Sequence, residues 1–439
     1  MKFPKNALPS QRQIRWQATE TNVFFHFGIN TYTGREWGDG TDDPKLFNPR
    51  DLDCRQWAKV SAEAGFKIGI LTAKHHDGFC LWPSCFTDYS VISSPWKEGK
   101  GDIVREFVEA FTEYGLKVGL YLSPWDRHEA SYGDSERYND YYCHQLTELL
   151  SHYGPIDEVW FDGACAEGPN GRRQEYDWER YFNLVRTLQH DAVTFGDGGT
   201  DIRWVGNERG YAGETCWSTI DPCAIRFPGD SGISEANDAL AHEDLIAILN
   251  GGQEPGEGKD RIWRPAECDV SIRPGWFYHP EQDEKIRTVD NLVELYFKSV
   301  GRNSLLLLNL PITPDGLIHP LDAARVTEWR EVLNGMFEKN LIDENSTFLT
   351  ERPGQITVTL EEAASARVLC LQERISEGQR IRAYRFESQD VSGEWHLLAQ
   401  GTTVGHKRLQ HFAPFTSDRF RLTIDDAWGD ADLSFIGIY

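Results

Sequence analysis

The sequence predicts an α/β protein, a (β/α)8 TIM-like barrel that is irregular in its second half and is followed by an antiparallel β-sandwich. Helix–strand units repeat along most of the first 340 or so residues, and their strands are apolar on both faces, as a parallel sheet between helices requires. After about Leu341, short alternating strands separated by turns replace the helices. We therefore expect a catalytic barrel over residues 1–345 and a sandwich over residues 346–439.

The early units share an amphipathic helix, a glycine that ends it and an apolar strand, and the first two also have a capping aspartate. Asp53 and Asp102 are placed to accept hydrogen bonds from the first helical turn, and Gly65, Gly115 and Gly154 are placed to end helices. The buried strands expected in this half are 21–28, 67–73, 116–122 and 156–163.

The pattern weakens between about residues 165 and 285. A helix over 178–189 and a strand over 192–195 are expected there, but the rest is rich in Gly, Asp, Glu and Trp. Beyond it, an apolar strand over 304–309 and a final helix over 322–337 complete the barrel. An open doubly wound sheet is the rival fold, although no GxGxxG follows the first strand, which disfavours a dinucleotide-binding domain.

The C-terminal region is expected to contain five short strands, over 356–360, 366–371, 380–388, 395–401 and 419–424, with the domain boundary in 343–351. Such a sandwich can be a structural cap or a carbohydrate-binding module. We favour the cap, and the sequence leaves both open.

Charge and composition exclude several function classes. The net charge of −24 argues against nucleic acid or an anionic membrane as a partner. Nine cysteines occur without any CxxC, so no zinc-knuckle spacing is present. The N-terminal residues have no apolar signal-peptide core, which predicts a cytoplasmic protein, although a trimmed secreted or periplasmic protein would look the same. The 15 Trp, 16 Tyr and 23 Phe suit stacking on sugar rings.

Polar and aromatic side chains stand at the ends of four successive predicted strands. They are His26, the pair His75 and His76, Tyr121, and Trp160 with Asp162. In a β/α barrel, the carboxyl ends of the strands meet at the face that carries the active site. We therefore expect these residues to share a pocket, although Asp162 could instead cap the next helix.

The histidines permit a metal hypothesis, because imidazole and carboxylate groups such as Asp77 are good ligands. Adjacent residues on an extended chain point to opposite faces, however, and no HxH or HExxH occurs. We expect neither metal nor cofactor. A neutral imidazole that donates one hydrogen bond and accepts another suits a sugar hydroxyl.

Hydrolysis of a glycoside requires a second carboxyl group beside Asp162. The best candidate is Glu208 in the glycine-flanked segment 204–210, and Glu214, Glu267 and Asp269 are alternatives. The residues alone therefore indicate a barrel whose pocket of carboxylates, histidines and tryptophans binds a polyol.

Several motifs, in order along residues 20–320, resemble those of the α-L-fucosidases of glycoside hydrolase family 29. They are Phe25-His26-Phe27-Gly28, Lys74-His75-His76-Asp77-Gly78-Phe79, Gly119-Leu120-Tyr121, Val159-Trp160-Phe161-Asp162-Gly163, Trp204-Val205-Gly206-Asn207-Glu208, Asp269-Val270-Ser271-Ile272-Arg273-Pro274-Gly275-Trp276-Phe277 and Leu306-Leu307-Leu308-Asn309. The Gly-Asn-Glu and Ser-Ile-Arg-Pro-Gly-Trp segments look more like the subfamily selective for α1,3 and α1,4 linkages of Lewis-type glycans.

The resemblance implies a retaining exo-α-L-fucosidase that acts on a fucosylated oligosaccharide or glycoconjugate. It implies that Asp162 is the nucleophile and Glu208 the general acid/base, with Glu214 in reserve, and that the two carboxyl groups lie about 5–5.5 Å apart. The residues implied to line the fucose pocket are His26, Glu36, Trp37, His75, His76, Tyr121, Trp160 and Trp276. We also expect His and Tyr donors to hold the pKa of Asp162 down.

Two alternatives remain open at this point. One is a metal-dependent barrel hydrolase that uses His26, His75 and His76, and the other is a fucose-binding protein without catalysis. The oligomeric state is not predicted.

Overall fold

The computed structural model describes residues 7–225, 227, 239–256 and 260–439. In this part of the chain, the N-terminal region contains ten strands. They are β1 (Thr21–Phe25), β2 (Ile68–Lys74), β3 (Lys117–Leu122), β4 (Glu158–Trp160), β5 (Val193–Gly196), β6 (Ile202–Trp204), β7 (Thr219–Ile220), β8 (Ile262–Trp263), β9 (Ala266–Ser271) and β10 (Leu305–Asn309). Eight of them form a closed parallel barrel in the order β1-β10-β9-β6-β5-β4-β3-β2. The predicted barrel is confirmed, and the rival open sheet is wrong.

The helices form a shell around the barrel. The described ones are α1 (Gln11–Gln17), α2 (Asn30–Thr33), α3 (Cys54–Glu63), α4 (Ile103–Glu113), α5 (Ser135–His152), α6 (Trp178–Leu188), α7 (Ala239–Gly251), α8 (Val289–Lys298) and α9 (Pro320–Met336). The Asp53 and Asp102 side chains accept hydrogen bonds from Arg55 N–H and Arg105 N–H, as predicted. None of the described helices has the length and apolar character needed to cross a membrane.

The second half of the barrel departs from the repeating unit, as expected. Only residues 197–201 separate β5 from β6, so no helix lies between these two parallel strands. Between β6 and β9 the chain forms α7 and a small antiparallel ribbon of β7 and β8. The sequence analysis identified neither α7 nor the strands β6 and β9.

The barrel interior is filled by side chains rather than open. Trp160 pairs in register with Tyr121 on β3 and with Phe195 on β5, so these three aromatic side chains lie at one level. They belong to one buried apolar cluster that also includes Phe24 and Leu307 from β1 and β10. Because alternate residues of a strand face the same side, Glu158, Trp160 and Asp162 follow one another from the core towards the carboxyl end of β4.

Two carboxyl groups, Glu158 and Glu267, lie at the lower level of this interior, and both are fully buried. The Trp16 indole N–H donates to Glu158 over 2.9 Å, and the Trp160 indole N–H donates to Glu267 over 2.9 Å. Burial raises the pKa of both groups, and Glu158 raises that of Glu267 further. Such a pair retains a proton at neutral pH and supports Trp160 from below.

The C-terminal strands form an antiparallel sheet that folds into the predicted sandwich. They are β11 (Thr347–Arg352), β12 (Gln355–Glu373), β13 (Ile381–Gln389), β14 (Trp395–Gly401), β15 (Arg408–Ala427) and β16 (Leu433–Ile438). Two predicted strands merge into the long β12, whose pairing with β15 shifts register twice. β11 begins in the segment 343–351, where the domain boundary was expected, and it was missed because all its residues are exposed and show no alternation. β16 was also missed.

Candidate active site

Asp162 lies two residues beyond the end of β4, where its carboxylate enters the barrel mouth. The Tyr121 hydroxyl donates to its Oδ2 over 2.9 Å, and the Ala164 backbone N–H donates to its Oδ1 over 2.6 Å. His76 Nε2 is 3.8 Å from the same Oδ2. Residues from the ends of β2, β3 and β4 therefore meet at this carboxylate, as the strand-end pattern predicts.

The expectation that donors hold the pKa of Asp162 below its ordinary value is wrong. Burial raises the pKa of this carboxyl group, and the hydrogen bonds from Ala164 and Tyr121 offset only part of that effect. The sequence indicates which donors are near but not how completely the barrel mouth excludes water.

Glu208 and Asp162 both line a cavity of about 390 Å³. The Trp276 indole N–H donates to Glu208 Oε2 over 3.3 Å. Burial raises the pKa of Glu208, and the negative charges of Asp162 and Glu36 raise it further. The structure thus places the two candidate catalytic acids on one cavity, and the pKa of each lies above its ordinary value.

The three other candidate acids differ in position. Glu214 is 82% exposed, is bound to Arg302 over 3.1 Å and lies outside the cavity. Glu267 lies beneath Trp160 in the barrel core, whereas Asp269 lines the cavity. The reserve assignment to Glu214 therefore has no geometric support.

Glu36 contacts the backbone of Trp276 rather than its indole ring. One Glu36 carboxyl oxygen accepts from the Trp276 backbone N–H over 2.9 Å, and the other lies 2.9 Å from His279 Nε2. Glu36 thus links the loop after β1 to the loop after β9. His279 is a neighbour of the site that the sequence analysis did not identify.

His26 and His76 present the same nitrogen as a hydrogen-bond acceptor. His26 Nδ1 lies 2.9 Å from Asn309 Oδ1, and the Asn309 amide nitrogen donates to Ser271 and to the Trp276 carbonyl. Since an amide oxygen only accepts, His26 Nδ1 carries the proton and Nε2 is left as an acceptor.

The same reasoning applies to His76, whose Nδ1 is 2.8 Å from a Ser123 hydroxyl that itself donates to Trp125 O. Burial lowers the pKa of His26 and of His76 to about 3, and lowers that of His75 as well. All three imidazoles are therefore neutral at physiological pH. His75 Nδ1 is buried without a partner among the described residues.

The geometry gives no support to the metal alternative. Among the described residues, the group whose ligand atoms lie within 4.8 Å of one another is Asp390, Glu394 and His396, at a turn of the sandwich. His26, His75 and His76 do not form such a group. The ring centroids of His75 and His76 lie 4.1 Å apart with the planes tilted by 41°, and neutral ring nitrogens suit hydroxyl groups.

The aromatic side chains that line the cavity are Trp37, Trp160, Phe195 and Trp204, and Trp276 lies against the lining residue Glu208. Trp160 stacks on Phe195 at 3.8 Å, and Trp276 lies 5.0 Å from the His26 ring. Trp37 is 52% exposed and packs edge-on against His76 at 5.6 Å, at the rim of the cavity. The floor and one wall are therefore closed, while the side at Trp37 is open to solvent.

The cavity includes residues that the sequence analysis did not assign to a pocket, namely Phe195, Asp197, Trp204 and Asn207. Phe195 stands at the end of the predicted strand over 192–195, so the strand-end signal was present for it, whereas Trp204 ends β6, which the sequence analysis did not identify. All residues lining the cavity come from the barrel, and none comes from the sandwich.

Comparison with known proteins identifies the family. The α-L-fucosidase family model matches residues 11–216. Alpha-L-fucosidase 1 of Arabidopsis thaliana is 41% identical over an alignment of 463 positions, and the alignment covers 98% of this chain and 87% of that protein. The chain belongs to the α-L-fucosidase family.

Solved structures show the same fold for this α-L-fucosidase. A glycoside hydrolase 29 family member from an unknown rumen bacterium has a TM-score of 0.89 and 38% identity, covering 99% of this chain and 78% of that one. A Ruminococcus gnavus family 29 fucosidase, solved in complex with fucose, has a TM-score of 0.85 and 32% identity, covering 100% and 96%. The α-L-fucosidase is thus a glycoside hydrolase with a barrel and a sandwich.

Proposed function

We propose that this α-L-fucosidase is a retaining exo-enzyme that removes terminal α-L-fucosyl residues, with Asp162 as nucleophile and Glu208 as general acid/base. The observation that carries the proposal is the difference between two carboxyl groups that line one cavity. Burial raises the pKa of both groups, but at Asp162 two hydrogen bonds act against burial and favour the charged form, whereas at Glu208 the charges of Asp162 and Glu36 add to it and favour the protonated form.

The reaction then proceeds in two displacements. An Asp162 oxygen attacks the anomeric carbon while Glu208 gives its proton to the departing glycosidic oxygen, leaving a β-fucosyl ester of Asp162. Glu208, now a carboxylate, takes a proton from water as that water attacks the same carbon, and the ester bond to Asp162 breaks. The product is α-L-fucose, and both side chains return to their starting protonation states.

The pocket chemistry fits fucose. The acceptor nitrogens of His26 and His76 suit hydroxyl donors, and the aromatic surfaces of Trp160 and Trp276 suit the apolar C6 methyl group. The Ruminococcus gnavus relative, solved with fucose, supports the same ligand. Discrimination of one methyl group is worth only about 1–3 kcal/mol, so rejection of galactose also requires that its 6-hydroxyl find no partner.

We further propose a preference for the α1,3 and α1,4 linkages of Lewis-type glycans. Its support is the resemblance of the segments around Glu208 and Trp276 to the subfamily with that selectivity. The partly exposed Trp37 at the cavity rim offers an aromatic surface to the sugars that carry the fucose. The sandwich is proposed as a structural cap, because no residue of it lines the cavity.

The proposal is tested by comparing a Lewis trisaccharide, 2′-fucosyllactose and an aryl α-L-fucoside at equal concentrations, with the first-formed fucose anomer followed by NMR. We expect kcat/KM for the Lewis trisaccharide to exceed that for 2′-fucosyllactose at least tenfold, as an order of magnitude. The α anomer should appear first. Initial release of the β anomer would refute retention, and equal or faster cleavage of 2′-fucosyllactose would refute the linkage preference.

Tyr121→Phe should move the acid side of the pH profile. In the proposed enzyme, kcat/KM falls at low pH as Asp162 becomes protonated and at high pH as Glu208 loses its proton. The Tyr121 hydroxyl lowers the pKa of Asp162, so its removal raises that pKa and shifts the acid limb upward by up to about one pH unit. The alkaline limb should stay in place, and kcat should fall about tenfold.

The matched control is Tyr153→Phe, which removes a tyrosine–aspartate hydrogen bond of equal length, from Tyr153 to Asp102, outside the cavity. That variant should retain the wild-type pH profile. An acid limb that stays in place in Tyr121→Phe would show that Asp162 does not control it.

A further inference from the structure

Asp269 is a further carboxyl group in the α-L-fucosidase cavity, and it takes part in neither of the two proposed displacements. It lies on β9, where Glu267, Asp269 and Ser271 face the barrel interior in turn. Two residues of a strand span about 6.6–6.8 Å, so Asp269 stands one level above the core carboxyl group of Glu267. At this level Asp269 lines the cavity together with Asp162 and Glu208.

One carboxyl oxygen of Asp269 accepts a hydrogen bond from another described residue, and the other does not. The Trp204 indole N–H donates to Oδ1 over 2.7 Å. Oδ2 makes no hydrogen bond to another described residue. It is also not fully enclosed by protein, unlike the buried polar atoms that lack a partner. The side chain is nevertheless only 3% exposed, so Oδ2 opens onto the cavity rather than onto the protein surface.

The surroundings of Asp269 disfavour a negative charge. No Lys or Arg is among the residues that line the cavity in the described part of the chain. Asp197 also lines the cavity, but it has the Arg264 guanidinium near it, and Asp269 has no such neighbour. A further unpaired negative charge near Asp162, on a side chain that is only 3% exposed, would be strongly repelled.

We propose that Asp269 is a third functional carboxyl group of this cavity, uncharged in the working enzyme, whose Oδ2–H donates a hydrogen bond to a hydroxyl group of the bound fucosyl residue. The role complements the one proposed for the histidines, since the Nε2 atoms of His26 and His76 are left as acceptors whereas Asp269 supplies a donor. Asp269 is thus a specificity residue, and no proton leaves it during the reaction.

The electrostatic environment supports this state of Asp269. Burial raises the pKa of Asp269 well above the ordinary aspartate value, and the charges of Glu208 and Asp162 raise it further. The Trp204 hydrogen bond works in the opposite direction and does not outweigh them. A neutral carboxylic acid offers one donor and one acceptor. Here Oδ1 accepts from Trp204, and Oδ2–H is the donor to the sugar.

The test compares Asp269→Asn with Asp269→Ala. Asparagine has nearly the same shape, and it keeps an acceptor for Trp204 and a donor for the cavity without any charge. We expect the competitive inhibition constant of L-fucose and kcat/KM in Asp269→Asn to stay within about threefold of wild type. In Asp269→Ala, which lacks the donor, both should worsen about 10- to 100-fold.

Deoxy sugars then separate a direct contact from a structural effect. L-Fucose and its 2-, 3- and 4-deoxy forms are compared as inhibitors of wild type and Asp269→Ala. The one sugar that lacks the partner hydroxyl should bind both enzymes equally weakly, whereas the others should lose affinity in the variant as fucose does. A structural defect would weaken all four sugars by the same factor.

The outcomes distinguish this inference from the proposed function on which it rests. Loss of activity in Asp269→Asn as large as in Asp269→Ala would show that a charge is needed and would overturn the proposal. So would an unchanged inhibition constant in Asp269→Ala, or equal losses for all four sugars. A wild-type enzyme that is not inhibited by fucose at all would instead contradict the assignment of the cavity itself. Asp269→Asn supplies the charge test even if the alanine variant does not fold.

Discussion

Asp162→Gly should lower kcat for an aryl α-L-fucoside by about 10⁴-fold or more, because it removes the atom that forms the covalent intermediate. Added azide should restore turnover, since the deleted side chain leaves room for a small anion on the face of the sugar that Asp162 attacks. A single displacement inverts the anomeric carbon, so the product should be β-L-fucosyl azide. The measurement is the rate of aryl alcohol release, with the azide product identified by NMR.

The matched control is Asp157→Asn, at the opposite end of the same strand. Asp157 is bound to Lys117 over 2.7 Å and faces away from the cavity mouth, so this variant should retain wild-type activity. Thermal unfolding of both variants should remain cooperative, since Asp162 makes no ion pair with a Lys or Arg side chain that is described. Retained activity in Asp162→Gly, or an α-configured azide, would remove Asp162 from the role of nucleophile.

The early half of the barrel was predictable from sequence because its local signals agree with its tertiary structure. Asp53 and Asp102 cap helices, Gly65 and Gly115 end them with positive φ angles of 80° and 71°, and apolar strands follow. Each unit buries its strand between helices and neighbouring strands, so the apolar run in the sequence persists in the fold.

The later half was not predictable because the barrel interior there is polar. β9 carries Glu267 and Asp269 on its inward face, so its sequence lacks the apolar run that predicts a buried strand. The cost of burying these carboxyl groups is offset by indole donors from Trp160 and Trp204, which lie far away in sequence. The residue pattern of β9 alone contains no information about those partners.

The candidate site divides in the same way. The rule that functional groups stand at the carboxyl ends of barrel strands identified His26, His76, Tyr121 and Asp162 from sequence alone, and the structure brings these four together. Glu36, Trp37 and Trp276 lie on loops, where no periodicity marks them, and only the family resemblance identified them. The direction of the Asp162 pKa shift depends on burial, which residue order does not reveal.

Glu208→Ala should affect substrates according to their leaving groups. A dinitrophenyl fucoside needs no protonation on departure, so its first displacement should stay close to the wild-type rate, whereas a Lewis trisaccharide should be cleaved about 10²- to 10⁴-fold more slowly. Hydrolysis of the intermediate also lacks its base, so a burst of dinitrophenol should precede slow turnover. Stopped-flow absorbance measures the burst and the steady state together.

Azide provides the decisive comparison between the two carboxyl groups. In Glu208→Ala, azide needs no base to attack the β-fucosyl ester of Asp162, so it should accelerate turnover and give α-L-fucosyl azide, the opposite anomer to that from Asp162→Gly. Glu214→Ala is the control, because that side chain is 82% exposed and lies outside the cavity, and it should behave as wild type. If azide rescued Glu214→Ala instead, or gave the same anomer in both catalytic variants, the assignment of Glu208 would be wrong. Opposite anomers from two variants of one cavity require one group on each side of the anomeric carbon.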